Sequence, residues 1–388
     1  MLRNIPRYSI FQDKLSNAFS KNIKYVYGAL FVLIFFVPLL PINNYVIHLC
    51  TYVMMYIILS LGLNILPGFT GLLDLGYVGF YGIGAYTAGL ITLKCAAMGP
   101  PWDILASYWL IIPFAALNGA LAGLLLGAPT LRLTGDYFAI VTFGFAELVV
   151  LIIVNEMWLT RGPMGLPGIA PPSLDLSFMF PLTHYFYPEP IRYVFRGEIP
   201  FFYLILIMLV ITVFLMGRLE DSRVGRAWLA IREDEVAAEC SGINIMKYKL
   251  IAFAVSASIG AVAGSFFARW YSFISPVSFK FWESILILCM VVLGGMGSIP
   301  GVILGATCLI SLSEILRKVL EPWPELVQAR YALFGIILII MMRFKPAGLI
   351  PVSRVKREMG PHDKAIVEAM NESFYTVTHE EERISKQK

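Results

Sequence analysis

The chain has 388 residues, 58% of them hydrophobic and 14% charged, with a formal net charge of +4. A soluble domain carries about a quarter charged residues. Here the charges gather in short stretches between nearly uncharged apolar runs, which excludes an ordinary soluble protein and points to a polytopic membrane protein. No basic patch interleaved with aromatics is present, which argues against nucleic-acid binding.

A polar segment, residues 1–24, comes first and is expected in the cytoplasm. Apolar runs follow at 25–41, 46–66, 72–94, 104–126, 137–154, 201–216, 250–269, 283–298, 301–316 and 331–343, predicting about ten transmembrane helices in an all-α transmembrane domain, residues 25–351. The first run ends in Pro-Leu-Leu-Pro without a small-residue cleavage site, so it is expected to remain as a helix rather than act as a secretory signal. Residues 352–388 form a polar cytoplasmic tail of mixed charge.

Basic residues orient such a chain. Placing both termini in the cytoplasm puts seventeen Lys and Arg, counted as far as Arg357, inside, against nine outside. The loop 155–200 then lies outside and the charge-dense loop 217–249 inside. One connection, at Arg317 and Lys318, is more basic than an outside loop should be.

Glycines recur at every fourth position in Gly119, Gly123 and Gly127, again in Gly297, Gly301 and Gly305, and in the pair Gly260 and Gly264. Such stripes let helices approach closely, either within one bundle or between subunits. The segment GFTGLLDLGYVGFYGIGAYTAG, from Gly68, is too rich in glycine for a regular helix and predicts a broken or re-entrant helix near 68–90. Gly76, Gly79 and Gly82 are its candidate close-approach or substrate-path positions, with Thr142 on a later span. A second glycine-dense stretch, Leu293 to Ala306, falls five spans further on, which suggests an inverted repeat with its site at mid-membrane.

No catalytic constellation is present. The chain lacks a P-loop and a Gly-x-Ser-x-Gly elbow, and its four histidines make no ligand-spaced pair. Cys50, Cys95, Cys240, Cys289 and Cys308 form no CxxC pair and read as small hydrophobes. Glu147 lies mid-span in GFAELVV, where a charge costs about 2.5–3.5 kcal/mol. It should face the bundle interior or a wet path, either receiving a substrate ammonium group or serving as a hydrogen-bonded structural residue. The stretch GRAWLAIREDEVAAECSGINIMKYK, from Gly225, predicts a helix over Leu229–Cys240 ending near Gly242. Ala237 and Ala238 form its low surface, with Glu233, Asp234 and Glu235 beside it. It reads as a solvated amphipathic connection or as a docking helix for another protein.

Six blocks occur in order: LLDLGYVGFYGIGAY, LRLTGDYFAIVTFGFAE, LTRGPMGLPGI, GRAWLAIREDEVAA, VVLGGMGSIPGVILGA and RFKPAGLIP. Together they resemble the LivM-type permeases of ABC importers for branched-chain amino acids, over roughly residues 45–351. The resemblance implies a bacterial inner-membrane subunit, without an ATPase site of its own, working by alternating access. Its implied partners are a homologous LivH-type permease, two cytoplasmic ATPases that hydrolyse ATP with magnesium, a periplasmic substrate-binding protein, the amino acid itself and the surrounding lipid. It also implies an ATPase-coupling segment over 225–243, carrying Arg226, Ala227, Glu233, Asp234, Ala237, Ala238 and Gly242. Importer coupling loops have Glu-Ala-Ala, three residues, then Gly. Here Val236 stands at the Glu position, with Glu235 one residue early. Related permeases for urea or short amides, and a secondary transporter working alone, are the competing readings.

Overall fold

A computed structural model describes residues 35–39, 43–98, 107–130, 136–175, 192–319, 335–336, 339, 343 and 348–350. Its helices are α1 (Asn44–Leu63), α2 (Tyr77–Met98), α3 (Tyr108–Thr130), α4 (Asp136–Asn155), α5 (Glu198–Glu220), α6 (Arg223–Glu233), α7 (Glu235–Cys240), α8 (Ile245–Tyr271), α9 (Phe281–Gly294) and α10 (Ile299–Val319). α1 runs on through a π-helical turn, Ile65–Thr70. Among the described residues six helical stretches are long and apolar enough to cross a membrane: Asn44–Thr70, Tyr108–Thr130, Tyr137–Asn155, Glu198–Glu220, Ile245–Tyr271 and Ile299–Lys318. They correspond to six of the expected spans. The expected spans 25–41 and 331–343 lie largely outside the described residues.

α8 is the centre of the bundle and packs on α1, α2 and α3. Small residues make this possible. Gly119 and Gly123 of α3 face Ala257 and Phe253, where an added methyl group would come within 2.6 Å and 2.8 Å of carbonyl oxygens. Gly260 lies under the Tyr77 ring, and a methyl group on Gly264 would overlap the Tyr81 carbonyl oxygen. Gly301 and Gly305 meet Gly294 and Met290 in the same way. All three glycine stripes are therefore seams within this chain. Large buried side chains, among them Phe253, Phe266, Tyr108 and Phe202, fill the space between the seams.

Contacts sort the helix ends into two groups. At one end Tyr45 of α1 donates to Glu314 of α10, His48 lies 3.2 Å from Glu198 of α5, and Trp270 of α8 donates to that same Glu198. Strands β1 (Leu166–Pro167) and β4 (Phe273–Ile274) pair antiparallel there. Nearby in sequence, β2 (Ser173–Asp175) pairs with β3 (Arg192–Val194). At the other end α6 meets the π turn, and Leu349 and Ile350 donate amides to Leu293 and Gly294. Arg317 and Lys318, more basic than expected for their side, are partly offset. Arg317 donates to Glu314 at 2.9 Å, and the Lys318 ammonium sits 4.3 Å from the centre of the Tyr45 ring.

Three segments depart from the sequence reading. The glycine-rich stretch is interrupted over 71–76 only, and from Tyr77 the helix α2 continues through Gly79, Gly82, Gly84 and Gly89. The span expected at 283–298 is a 14-residue helix ending at Gly294. At 1.5 Å per residue it is about 21 Å long, short of a bilayer core. The cytoplasm-assigned helix expected over Leu229–Cys240 is two helices, because the Asp234 side chain accepts the amides of Val236 (2.8 Å) and Ala237 (3.0 Å). That cap starts a new helix and ends the old one.

Candidate functional site

The helix starts of α2 and α9 meet near the middle of the bundle. The α2 start is placed by α8, since the Tyr77 ring lies against Gly260, near the midpoint of α8. The Val78 amide donates to the Ser284 hydroxyl of α9 at 3.0 Å. Just upstream, the Leu75 amide donates to the Thr142 hydroxyl of α4 at 3.1 Å, and the Gly76 amide to Asp74 Oδ1 at 2.8 Å. Asp74 is fully buried. One junction therefore joins the 71–76 interruption, α4 and α9. Three amides at it, those of Leu75, Gly76 and Val78, find side-chain acceptors, which meets the demand of buried backbone.

Of the path candidates, Gly76, Gly79 and Thr142 come together here. A methyl group on Gly76 would overlap the Thr142 carbonyl oxygen, and one on Gly79 would lie 3.3 Å from Ala146 Cα. Gly82 faces instead the ring of Phe279, in the short 3-10 turn Pro276–Phe279 that precedes α9. Glu147 does not point into this chain's bundle. It is exposed on an α4 face shared with Ile140, Leu148, Leu151 and Ile152, all more than half exposed.

The coupling candidates divide by exposure. Ala227 and Ala238 are buried, whereas Arg226, Glu233, Asp234, Ala237 and Gly242 are exposed. Ala237 thus presents the small surface alone, beside a Val236 that is 70% exposed. Arg226 donates to the Asp221 carbonyl at 2.8 Å, and Gly242 turns the chain with φ 83°. Glu235 is held by the buried Lys249 ammonium at 2.6 Å, which ties α7 to α8. α6 is anchored by Trp228, fully buried, whose indole donates to the Tyr248 carbonyl at 2.8 Å.

Sequence reasoning passed over Asp74, Glu283 and Ser284. Glu283, at the start of α9, accepts the Tyr56 hydroxyl at 2.7 Å. Asp74 and Glu283 are acids inside apolar runs, and the cost argument applied to Glu147 would have found both. Arg232 was also missed, and nothing in its charge-dense surroundings marks it out.

The six long apolar helices among the described residues are those of a multi-pass membrane protein. The family described as "Branched-chain amino acid transport system / permease component" matches residues 45–342, and the chain belongs to it. It is 38% identical to the high-affinity branched-chain amino acid transport system permease protein LivM of Escherichia coli K12, over 89% of this chain and 83% of that protein. It is 26% identical to the probable LivM of Methanocaldococcus jannaschii, over 76% of this chain and 90% of that one. A shorter likeness, 31% over 39% of this chain and 46% of the relative, joins it to the permease LivH of Escherichia coli K12. No solved structure matches.

Proposed function

We propose that the chain is the membrane-spanning permease subunit of an ATP-driven importer that carries leucine, isoleucine and valine into the bacterial cytoplasm. The likeness to LivM, which extends through nearly the whole of both chains, carries this reading. The likeness to LivH supports a homologous permease as its partner in the membrane. Two cytoplasmic ATPases, which bind and hydrolyse ATP with magnesium, dock on the coupling segment 225–243. A periplasmic binding protein delivers substrate at the opposite end, beside the strand pairs.

In this reading both termini lie in the cytoplasm, the chain crosses the membrane about ten times, and 71–76 is the re-entrant part of the glycine-rich segment. The exposed face of α4 supports a placement for the path. A carboxylate among lipid-facing aliphatic side chains costs about 2.5–3.5 kcal/mol. Glu147 is relieved of that cost if the sister permease covers the face and leaves a wet seam. The substrate passes along this seam, its ammonium group meeting Glu147, with the Gly76–Thr142 junction just behind.

The test is uptake of labelled leucine into proteoliposomes holding the two permeases and the ATPases, with binding protein outside and ATP inside. Uptake that needs this chain, ATP and binding protein together is expected. Ion-driven uptake by this chain alone would sink the reading.

A further inference from the structure

The contact between α6 and the π turn assigns a task to Arg232. We propose that Arg232 is the positioning residue that carries movement of the α6–α7 segment to the interruption at 71–76. The proposal rests on the reading of α6–α7 as the surface on which ATPases act.

Arg232 lies on the last turn of α6. Its guanidinium donates to the Gly68 carbonyl at 2.6 Å. Gly68 belongs to the π turn Ile65–Thr70, whose carbonyls near the helix end lack the next turn's amides. A cation donating there makes a charge-assisted bond at the negative end of the helix. Two neighbours of Gly68, one within the turn and one just beyond it, also meet α6. Gly71 is left-handed, φ 76°, and a methyl group on it would meet Arg232 Cγ at 3.3 Å, then Arg232 Cα and Cβ. Phe69 stacks nearly parallel on Trp228, with ring centres 6.5 Å apart. α6 therefore grips the π turn by a ring on one side and a guanidinium on the other.

The grip continues into the junction. From Gly71 the chain reaches Thr142 through the Leu75 amide and Ser284 through the Val78 amide. On its other flank the Asn64 side chain accepts the Gly297 amide at 2.9 Å. Four helices, α2, α4, α9 and α10, begin or are hydrogen-bonded within a few residues of a segment that α6 holds by Arg232. A displacement of α6 must either break the Arg232–Gly68 bond or drag the π turn with it. The Arg232 stem lies along Gly71 while its guanidinium donates to Gly68; lysine could supply a stem and a charge but not the rigid planar donor fork.

The experiment uses the full complex with Arg232→Gln and Arg232→Lys permeases. A fluorophore whose emission follows local polarity is placed on Leu73→Cys, an exposed position within 71–76, in the background of a chain whose other cysteines are replaced. ATP is expected to shift the emission in the parent complex. In Arg232→Gln the ATPases should still co-purify and hydrolyse ATP within about twofold of the parent rate. The ATP-dependent shift should vanish, and leucine carried per ATP should fall at least tenfold. Arg232→Lys should recover part of both. An undiminished shift, or an unchanged ratio of uptake to hydrolysis, in Arg232→Gln overturns the proposal. So does loss of assembled complex with normal coupling in the fraction that assembles, since that marks a helix cap only. If the unaltered chain fails to retain the ATPases, the docking reading itself is wrong and the proposal falls with it.

Discussion

Gly71 and Ser272 occupy matching places in the bundle. Each is the left-handed residue, φ 76° and φ 55°, directly after a 27-residue helical stretch, Asn44–Thr70 in one case and Ile245–Tyr271 in the other. Each is followed by a short break in the α-helix, in the second case containing the 3-10 turn Pro276–Phe279, that leads back to mid-bundle, where α2 or α9 begins and where Val78 meets Ser284. The two long stretches run antiparallel, with His48 near Trp270 and the Ser256 hydroxyl on the Gly62 carbonyl. This is the arrangement that the inverted repeat expected from the sequence would produce, with the two interruptions meeting at Val78 and Ser284.

The pair sets a first prediction. A left-handed residue other than glycine costs about 1–2 kcal/mol, and Ser272 bears that cost while Gly71 does not. Ser272→Gly is expected to leave the thermal midpoint of the detergent-solubilised protein unchanged or slightly raised. Gly71→Val adds both strain and a contact with Arg232, and should lower the midpoint by several degrees. A lower midpoint for Ser272→Gly than for Gly71→Val would contradict the matched role.

A second prediction ranks the glycines of α2. Gly76 abuts a backbone carbonyl, which cannot move aside, whereas Gly82 abuts the ring of Phe279 at 3.3 Å. Overpacking a seam costs about 1–3 kcal/mol. Gly76→Ala should therefore sharply reduce the yield of assembled permease, and Gly82→Ala should be tolerated with near-normal uptake. Leucine should abolish transport at Gly76, Gly79 and Gly82 alike. Membrane-fraction yield and leucine uptake decide the order.

Much of this architecture was legible in the sequence, for physical reasons that also explain what was not. The long helices follow from apolar length, and the first interruption from the glycine density between Gly68 and Gly76. The second interruption was placed at Leu293 to Ala306, because glycines mark it there. That stretch does turn at Gly295 and Gly297, both at positive φ, but the break that matches Gly71 begins at Ser272. Serine in a left-handed turn leaves no compositional trace, and the aromatic run around it reads as an ordinary helix end. The junction partners Asp74, Thr142 and Ser284 are distant in sequence, and only the packing of α4 and α9 on α2 brings them together.

Glu147 supports a third prediction. The carboxylate is exposed in this chain and makes no part of its core, so Glu147→Gln should leave yield and thermal midpoint unchanged. Under the proposed path it should still lower leucine uptake, by tenfold or more, with ATPase binding normal. Equal uptake by parent and Glu147→Gln complexes would remove Glu147 from the path. Reduced pairing with the sister permease would assign it to the interface alone.

The last prediction concerns docking, where neighbouring residues are expected to behave differently. Ala237 is exposed and Ala238 is buried against the rest of the chain, so the same substitution tests two different things. Ala237→Arg adds length and charge to a surface outside the hydrocarbon, on a helix held by Asp234 and by the Glu235–Lys249 pair. Insertion, yield and thermal midpoint should match the parent, while the ATPases should fail to co-purify and transport should approach zero. Ala237→Ser keeps the surface low and should be mild. Ala238→Arg must push α7 off its seat, so it should lower the thermal midpoint as well as docking. Association in the parent should weaken with salt, through the exposed charges Arg226 and Glu233, although such pairs contribute only about 0–1 kcal/mol each. The deciding measurement is pull-down of the ATPases by the Ala237→Arg permease in detergent, alongside ATP-driven uptake. Full-stoichiometry binding with undiminished uptake would mean that 225–243 is an ordinary solvated connection and that the ATPases dock elsewhere.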